Sequence, residues 1–351
     1  MKALLMSGPA VDGSATNVAE VPAPEPGPGQ VAIDVAYAGI NFIDVMARRG
    51  DPGYASGWPY VPGLEVAGTI RAVGAGVTGR QIGQRVAAFT PGGGLAQVAL
   101  AGAEVTAPVP DGVALATAAS ARLVVATALL LLTERARLRP GETVLMHSAS
   151  GGLGSVVSQV ATALGGARRI GTVGRPDKIA DGLAAGWDDV FARDGDLADA
   201  VHTIAPDGVD VVLDPTGTAL LDLDLSLLAP GGRVVLFGNA GGGTPAPLPP
   251  VGRLIGDNAG IVGFSMSRLI ATDPPGRGRS ADHRTGPDRP GQPPPRRHRR
   301  RTRPRRGDPR PPQQGTRPRQ VRGEDRELRR ALRDTGNGVC PDRGPTAPSG
   351  V

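Results

Sequence analysis

Residues 147–154 carry the clearest chemical signal in the sequence, since they read His-Ser-Ala-Ser-Gly-Gly-Leu-Gly. The apolar, β-branched run 142–146 before them predicts a buried strand, and apolar residues at helical spacing in 155–164 predict a helix behind them. A glycine turn between a strand and a helix lets a pyrophosphate approach the backbone and the N–H donors of the helix start. The pattern therefore indicates a dinucleotide site, although an ordinary glycine-rich turn would read the same. The predicted phosphate-binding residues are Ser150, Gly151, Gly152, Leu153 and Gly154.

A second predicted strand, residues 168–173, ends in a turn that contains Gly174, Arg175, Asp177 and Lys178. In a dinucleotide fold this turn faces the adenosine ribose. An acid there accepts the ribose hydroxyls of NAD, whereas basic residues accommodate the 2′-phosphate of NADP. Arg175 and Lys178 therefore favour NADPH over NADH. Asp177 weakens this interpretation, and a solvated loop would also carry these charges.

Strands and helices continue to alternate as far as residue 264, with a turn predicted at residues 230–232. Such alternation predicts a parallel, doubly wound sheet covered on both faces. Ligands of such sheets lie at the carboxyl ends of the strands. The further cofactor-binding residues predicted at these ends are Gly174, Asp214, Phe237, Gly238, Asn239 and Phe264.

The first 120 residues differ, because short apolar runs are broken by glycine and proline clusters, which predicts a β-rich domain. The alanine-rich segment 115–133 predicts a linking helix. Its purely apolar part, residues 123–132, spans about ten residues, which is too short to cross a bilayer. The chain opens on a strand-like run instead of a secretory signal. A single cysteine, Cys340, excludes an internal disulfide and fits a reducing cytoplasm.

These parts, in this order, resemble the medium-chain dehydrogenase/reductase superfamily. The nearer resemblance is to its zinc-free NADPH:quinone oxidoreductases, which are zeta-crystallin-like, and to related enoyl reductases. The motifs that carry it are AGINFID at 38–44, VPGLEVAG at 61–68, HSASGGLG at 147–154, IGTV at 170–173 and LFGN at 236–239. The resemblance covers residues 1–272. It implies an α/β chain with a GroES-like β-rich substrate domain at 1–122 and a Rossmann NADPH-binding domain at 123–272.

Zinc-dependent members of this superfamily bind catalytic zinc through a cysteine near position 41 and a Gly-His-Glu near position 64. Asn41 and Leu64 stand at those places here. The structural zinc of such enzymes needs four cysteines, and this chain has one. We therefore expect no metal site.

The resemblance implies hydride transfer from NADPH to a quinone or an α,β-unsaturated carbonyl, for which one or two hydrogen-bond donors near the acceptor oxygen suffice. It places Asn41 beside the nicotinamide and Thr127 at the carboxamide side. Asp44, one helical turn from Asn41, is a further catalytic candidate, and Tyr54 is the nearby phenol that could donate a proton. Helix capping is the alternative role of Asn41 and Asp44. His147 is expected to be structural.

Residues 273–351 have a different composition, with 21 arginines, nine acidic residues, 15 prolines and no aromatic residue. This excess of 12 positive charges exceeds the +6 of the whole chain, so residues 1–272 carry a net −6. Such a composition cannot build an apolar core and predicts a disordered tail. The tail could be a basic arm that binds nucleic acid, a solvated linker, or the family's C-terminus read in a shifted frame. We favour the shifted frame.

Three functions therefore stay open at this point. The chain could be an active NADPH-dependent quinone or enone reductase. It could be a catalytically impaired member that at most binds NADPH. Nucleic-acid binding rests on the tail alone and is the weakest of the three. The resemblance also allows a homodimer, and we expect no membrane partner.

Overall fold

The computed structural model of the chain describes residues 1–272 except residues 167 and 194. The interpretations of residues 273–351 lie outside these described residues. Residues 1–114 form two antiparallel sheets, as their short apolar runs predict. The five-stranded sheet has the order β6-β3-β4-β5-β7, and β1 pairs with β2 beside it. The strands are β1 (Lys2–Met6), β2 (Thr16–Glu20), β3 (Gln30–Ala38), β4 (Glu65–Val73), β5 (Arg85–Phe89), β6 (Val98–Gly102) and β7 (Thr106–Pro108).

Two helices follow strands of this sheet, and the second connects it to the rest of the chain. Helix α1 (Phe42–Arg49) follows β3, and its C-terminal turn is closed by Gly50 in the left-handed conformation, at φ 81°. Helix α2 (Leu115–Leu130) packs against β4 and β5 and continues into a π-helical turn, Leu131–Arg135. The domain boundary predicted at 122/123 falls inside α2, so both halves of the chain share this helix. The division into domains at that position stays a prediction.

The helical segment Leu115–Arg135 is longer than the apolar stretch considered from the sequence. It has 21 residues, and an 18-residue stretch within it has a mean hydropathy of 2.0, so its length and composition would suffice to cross a membrane. That is weak evidence, because a helix packed inside a folded domain meets the same conditions. Here one side of the helix packs against β4 and β5 and against the helix that follows the glycine turn.

The second half of the chain forms a six-stranded parallel sheet of order β10-β9-β8-β11-β12-β13, which is the strand order of a Rossmann fold. The strands are β8 (Thr143–His147), β9 (Arg168–Val173), β10 (Asp189–Ala192), β11 (Val209–Asp214), β12 (Leu228–Leu236) and β13 (Gly260–Gly263). The helices between and after them are α3 (Gly152–Ala163), α4 (Ile179–Ala184), α5 (Leu197–Ile204), α6 (Leu221–Leu227), α7 (Val251–Gly256) and α8 (Met266–Thr272).

Both faces of this sheet are buried, as a doubly wound fold requires. Val144 and Met146 of β8 pack on one face together with Val157 of α3, while Leu145 packs on the other face with Val201 of α5. The alternation follows from the two-residue period of a strand. The predicted fold class, a β-rich domain followed by a doubly wound parallel sheet, is confirmed.

One local prediction was wrong. Residues 230–232 were expected to be a turn before a strand, but they belong to β12. The pairing of β11 with β12 passes from Val209–Leu228 to Val211–Arg233, so the intervening residues bulge out of the ladder. Gly231 permits the bulge at φ 84°, and its N–H donates to the Asp257 carbonyl at 2.8 Å.

Candidate cofactor site and adjoining cleft

The glycine turn brings the start of α3 directly onto the end of β8. Gly151 precedes the helix, and the first helical hydrogen bond runs from the Ser155 N–H to the Gly151 carbonyl at 3.0 Å. A Cβ at Gly154 would collide with the Ala149 carbonyl, so glycine is required for this close packing. The side chain of Leu153 packs against the core, which leaves its backbone for any phosphate contact.

Gly152, unlike Gly154, has free space where a side chain would stand. Among the described residues, no heavy atom lies within 4 Å of the place where its Cβ would stand, and its φ is not positive. Neither internal packing nor backbone conformation therefore requires glycine at this position. The open space adjoins the first turn of a twelve-residue helix, whose N–H groups and positive dipole end suit an anion. The position therefore leaves room for an anion to approach the backbone closely.

The turn after β9 carries the predicted basic residues, but each is paired with a carboxylate close in the chain. The Arg175 guanidinium lies 3.1 Å from Asp177 and the Lys178 ammonium 2.9 Å from Asp181. All four side chains are at least 46% exposed, and exposed ion pairs of this kind contribute little. Both cations thus stay available to a more highly charged anion.

Arg193 is a third cation at this end of the sheet. It follows β10, whose last residue pairs with Val173 at the end of β9. One guanidinium nitrogen lies 3.2 Å from the place that a Cβ at Gly174 would occupy. Sequence reasoning did not select Arg193, because the position of β10 beside β9 is a tertiary feature. A basic residue directly behind the third strand was the available signal.

The loops that follow β11 and β12 are linked to each other by backbone hydrogen bonds. The Ala240 N–H donates to the Pro215 carbonyl at 2.9 Å and the Gly241 N–H to the Thr216 carbonyl at 3.2 Å. The side-chain amide of Asn239 donates to the Gly243 carbonyl at 2.9 Å. We call residues 214–217 and 238–243 the paired loops. They contain three of the predicted cofactor residues, Asp214, Gly238 and Asn239.

Asp214 itself has no exposed surface. One of its carboxylate oxygens accepts hydrogen bonds from the Thr216 N–H at 2.5 Å and the Thr216 hydroxyl at 2.6 Å. Asp214 therefore fixes the turn at Thr216, and its predicted contact with the cofactor stays a prediction. Phe237 and Phe264 begin the loops after β12 and β13, where their N–H groups donate to Asp214 and Leu236.

Beneath the paired loops lies a buried polar chain. The two ring nitrogens of His147 lie 2.6 Å from the Thr172 hydroxyl and 2.7 Å from an Asp224 oxygen, and all three side chains are fully buried. This gives His147 the structural role that was expected. Asp214 and Asp224 each keep one buried oxygen without a hydrogen-bond partner among the described residues. Burial, with the nearby Asp224 charge, raises the pKa of Asp214 to about 6.

Asn41 and Asp44 lie at the start of α1, on the side of the five-stranded sheet. The Asn41 side-chain amide donates to the Glu65 carboxylate at 2.9 Å, and the other Glu65 oxygen accepts the Leu123 N–H at 2.6 Å. Glu65 is buried, which raises its pKa. Glu65 stands in the motif at 61–68, but its link between Asn41 and α2 could not be predicted, because its partner Leu123 lies 58 residues away.

Both carboxylate oxygens of Asp44 accept backbone N–H groups, from Asn41 and from Gly63, each at 2.9 Å. Asp44 thus caps α1 and fixes the loop before β4, which is the structural alternative that the sequence left open. Burial raises its pKa, against the effect of these two donors. Each of its oxygens already accepts one backbone N–H, so the geometry favours a structural role over proton transfer.

A cavity of about 180 Å³ adjoins Asp44, between the β-rich domain and the start of α8. It includes two phenols, Tyr54 and Tyr60, and burial raises the pKa of both. Leu64, at the position where zinc-dependent enzymes have histidine, lines it as well. The full lining is Ile43, Asp44, Gly53, Tyr54, Ser56, Tyr60, Leu64, Pro91 and Ser267. Thr127, predicted at the carboxamide, is buried in α2.

Comparison with known proteins gives two family matches. Residues 27–128 match the alcohol dehydrogenase GroES-like domain, and residues 152–275 match the zinc-binding dehydrogenase family. Rat quinone oxidoreductase is 37% identical over 225 residues, which are 63% of this chain and 68% of that protein. The human synaptic vesicle membrane protein VAT-1 homolog-like is 36% identical over 219 residues, which are 62% of this chain and 51% of that protein. The chain thus spans about half the length of the latter relative.

Solved structures give the same picture. A mycobacterial protein in complex with NADPH has a TM-score of 0.70 and 35% identity, with 77% of this chain and 83% of that chain covered. Escherichia coli quinone oxidoreductase, also solved with NADPH, has a TM-score of 0.70 and 28% identity, with 77% and 82% covered.

Replacing Gly152 with valine should weaken NADPH binding at least about tenfold while leaving the melting temperature nearly unchanged, because the new side chain enters ligand space alone. Gly154→Val is the matched comparison. It should lower the melting temperature, since its Cβ meets the Ala149 backbone. Nicotinamide fluorescence and thermal denaturation measure the two effects. Undiminished binding by a folded Gly152→Val protein would contradict the phosphate-binding role.

The Asp214 carboxyl should make stability depend on pH. Its pKa is raised on folding from 3.8 to about 6, so the native state favours the protonated form. The resulting stabilisation, on the order of 3 kcal/mol in all, is complete below about pH 4 and is lost between about pH 4 and pH 6, so that roughly 1.4 kcal/mol of it remains at pH 5. Asp214→Asn should flatten the difference in unfolding free energy between pH 5 and pH 7.5. The exposed control Asp222→Asn should keep the wild-type difference, and a wild-type response in Asp214→Asn would refute the assignment.

Proposed function

We propose a reaction for this chain from its membership of the medium-chain dehydrogenase/reductase superfamily, in which it is a quinone oxidoreductase-like protein. The proposed reaction is the transfer of a hydride from NADPH to a quinone or an α,β-unsaturated carbonyl, without a metal ion. The observation that carries the proposal is the open glycine turn at Gly152, at the start of α3. When bound there, NADPH supplies the hydride, and the acceptor takes up one proton in addition. The NADPH-bound relatives described above support this choice of cofactor.

Different residues at the carboxyl edge of the parallel sheet bind different parts of NADPH in this proposal. The N–H groups at the start of α3 receive the pyrophosphate, and glycine at 151, 152 and 154 keeps their approach clear. Arg175, Lys178 and Arg193 surround the end of β9, where they would hold the 2′-phosphate. A phosphate dianion competes well with single carboxylates for Arg175 and Lys178, because charge-assisted bonds strengthen with the charge of the acceptor.

The cavity beside Asp44 suits a small, flat, uncharged acceptor. Ile43, Leu64 and Pro91 supply apolar walls, and no lysine or arginine is among the described residues that line it. The Tyr54 phenol is protonated at neutral pH, as tyrosines ordinarily are, and burial raises its pKa further, so that it can donate a hydrogen bond to the acceptor oxygen. Tyr60 provides a second phenol that sequence reasoning did not select. Asp44 and Glu65 act indirectly in this proposal, by holding α1 and Asn41 in place beside the nicotinamide.

The name of one matched family includes zinc, but the residues of this chain do not fit a zinc site. Asn41 and Leu64 stand where the catalytic ligands would be, and neither an amide nor an isobutyl group replaces cysteine and histidine. Within residues 1–272, as far as they are described, no group of three or more His, Cys, Asp or Glu is placed to hold a metal ion. We also propose a cytoplasmic location, in line with the single cysteine.

The chain should bind NADPH about tenfold or more tightly than NADH, because the 2′-phosphate adds charge-assisted bonds. Lys178→Ala and Arg193→Ala should each reduce this preference, whereas Arg253→Ala, at a distant exposed arginine of the same domain, should retain it. Fluorescence titration of both cofactors measures the ratio. Equal affinities in the wild-type protein would refute the assignment of the basic residues.

Oxidation of NADPH by a simple quinone should survive prolonged chelation, and elemental analysis should give no stoichiometric zinc. The reason is that hydrogen-bond donors suffice to polarise an acceptor that already delocalises negative charge. A zinc content that rises and falls with activity would contradict the reading of Asn41 and Leu64. Normal NADPH titration without turnover of quinones or enones would favour the alternative, a member that binds NADPH but is catalytically impaired.

A further inference from the structure

Arg49, the last residue of α1, reaches from the β-rich domain to the nucleotide-binding domain. Its guanidinium pairs with the Asp51 carboxylate through both Nε and Nη2. The remaining terminal nitrogen, Nη1, donates to the Ala240 carbonyl at 3.3 Å. Within the part of the chain that the structure describes, this is the only hydrogen bond between residues 1–114 and residues 143–272.

The guanidinium is fixed from several sides. It lies over the Phe42 ring, 5.6 Å from the ring centre, and it lies 3.5 Å from the place that a Cβ at Gly242 would occupy. The side chains of Arg49 and Asp51 are only 21% and 17% exposed. An ion pair so shielded from water, with bidentate geometry, holds its arginine in one orientation far better than an exposed pair does.

The group that Arg49 holds belongs to the paired loops. Ala240 lies in residues 238–243, which are tied to residues 214–217 by backbone hydrogen bonds from Ala240 and Gly241. Four of the six residues in 238–243 are glycine, so this loop has little rigidity of its own. A fixed cation on one of its carbonyls restricts the conformations that the loop would otherwise sample.

We propose that Arg49, oriented by Asp51, is a positioning residue that latches the paired loops to α1 and so preorganises the nicotinamide half of the NADPH site. This inference rests on the proposed function for its ligand. Arg49 acts through the Ala240 carbonyl and does not itself contact the cofactor. Removing the latch therefore releases the loop beside the nicotinamide, while the distant site of the adenosine 2′-phosphate keeps its geometry.

Binding measurements on the full chain test this separation. Arg49→Met keeps the length of the side chain but loses all its hydrogen bonds, and it should weaken NADPH binding roughly tenfold. The same variant should bind 2′,5′-ADP, which lacks the nicotinamide, as the wild-type protein does. Arg49→Lys should recover part of the NADPH affinity. Arg71→Met, which breaks an exposed pair with Asp34 in the same domain, is the control and should change neither affinity.

Hydrogen exchange of the cofactor-free chain tests the latch without any ligand. The amides of Ala240, Gly241 and Gly242 should exchange faster in Arg49→Met than in the wild-type or Arg71→Met proteins. Unchanged exchange at these amides would overturn the inference, as would equal losses of NADPH and 2′,5′-ADP affinity. If the wild-type chain binds neither ligand, the proposed function fails, and the exchange measurement alone decides the latch.

Discussion

The close packing of α3 on the end of β8 is the constraint on which the nucleotide-binding half of the molecule depends. Gly154 lies against the Ala149 carbonyl at a distance that admits no Cβ. This approach aims the first turn of α3 along the carboxyl edge of the sheet, where its N–H groups face open space above Gly152. The proposed pyrophosphate site would therefore be a consequence of backbone geometry.

Buried carboxylates organise the surroundings of that edge. Glu65 joins Asn41 to α2, Asp44 joins the start of α1 to Gly63, and Asp214 holds the turn at Thr216. A buried carboxylate is costly unless donors satisfy it. Glu65 and Asp44 accept a hydrogen bond on each oxygen, whereas both donors to Asp214 reach the same oxygen. The acidic residues of the cleft thus fix the positions of loops and helices. The phenols of Tyr54 and Tyr60 beside them are neutral, and burial raises the pKa of both.

The positively charged side chains of the candidate site lie away from the cavity beside Asp44. Arg175, Lys178 and Arg193 lie at the outer end of the parallel sheet, where a solvated phosphate is expected. The inner cavity is lined mostly by apolar groups and phenols. Arg49 stands between these regions, but its charge is matched by Asp51 and directed at a carbonyl. This arrangement suits the proposed function, with a charged cofactor at one end and an uncharged acceptor at the other.

Much of the molecule could be predicted from the sequence, because the relevant signals are local. Glycines at 151, 152 and 154, a strand before them and a helix after them specify a turn whatever lies around it. The apolar, β-branched run in β8 indicates a strand buried on both faces. The bulge at Gly231 escaped prediction because proline and glycine signal a turn equally well, and only pairing with β11 makes that segment part of a strand.

The sequence by itself determined the fold class, the glycine turn and the basic residues after β9. Tertiary structure alone decided which side chains meet: Glu65 with Leu123, His147 with Asp224, Arg49 with Ala240, and Arg193 with Gly174. Three of these pairs are separated by 58, 77 and 191 residues. A local pattern fixes backbone conformation, because sterics and periodicity act over a few residues. The partner of a buried polar group is fixed only when the packed domains bring distant segments together and remove the water that would otherwise satisfy it.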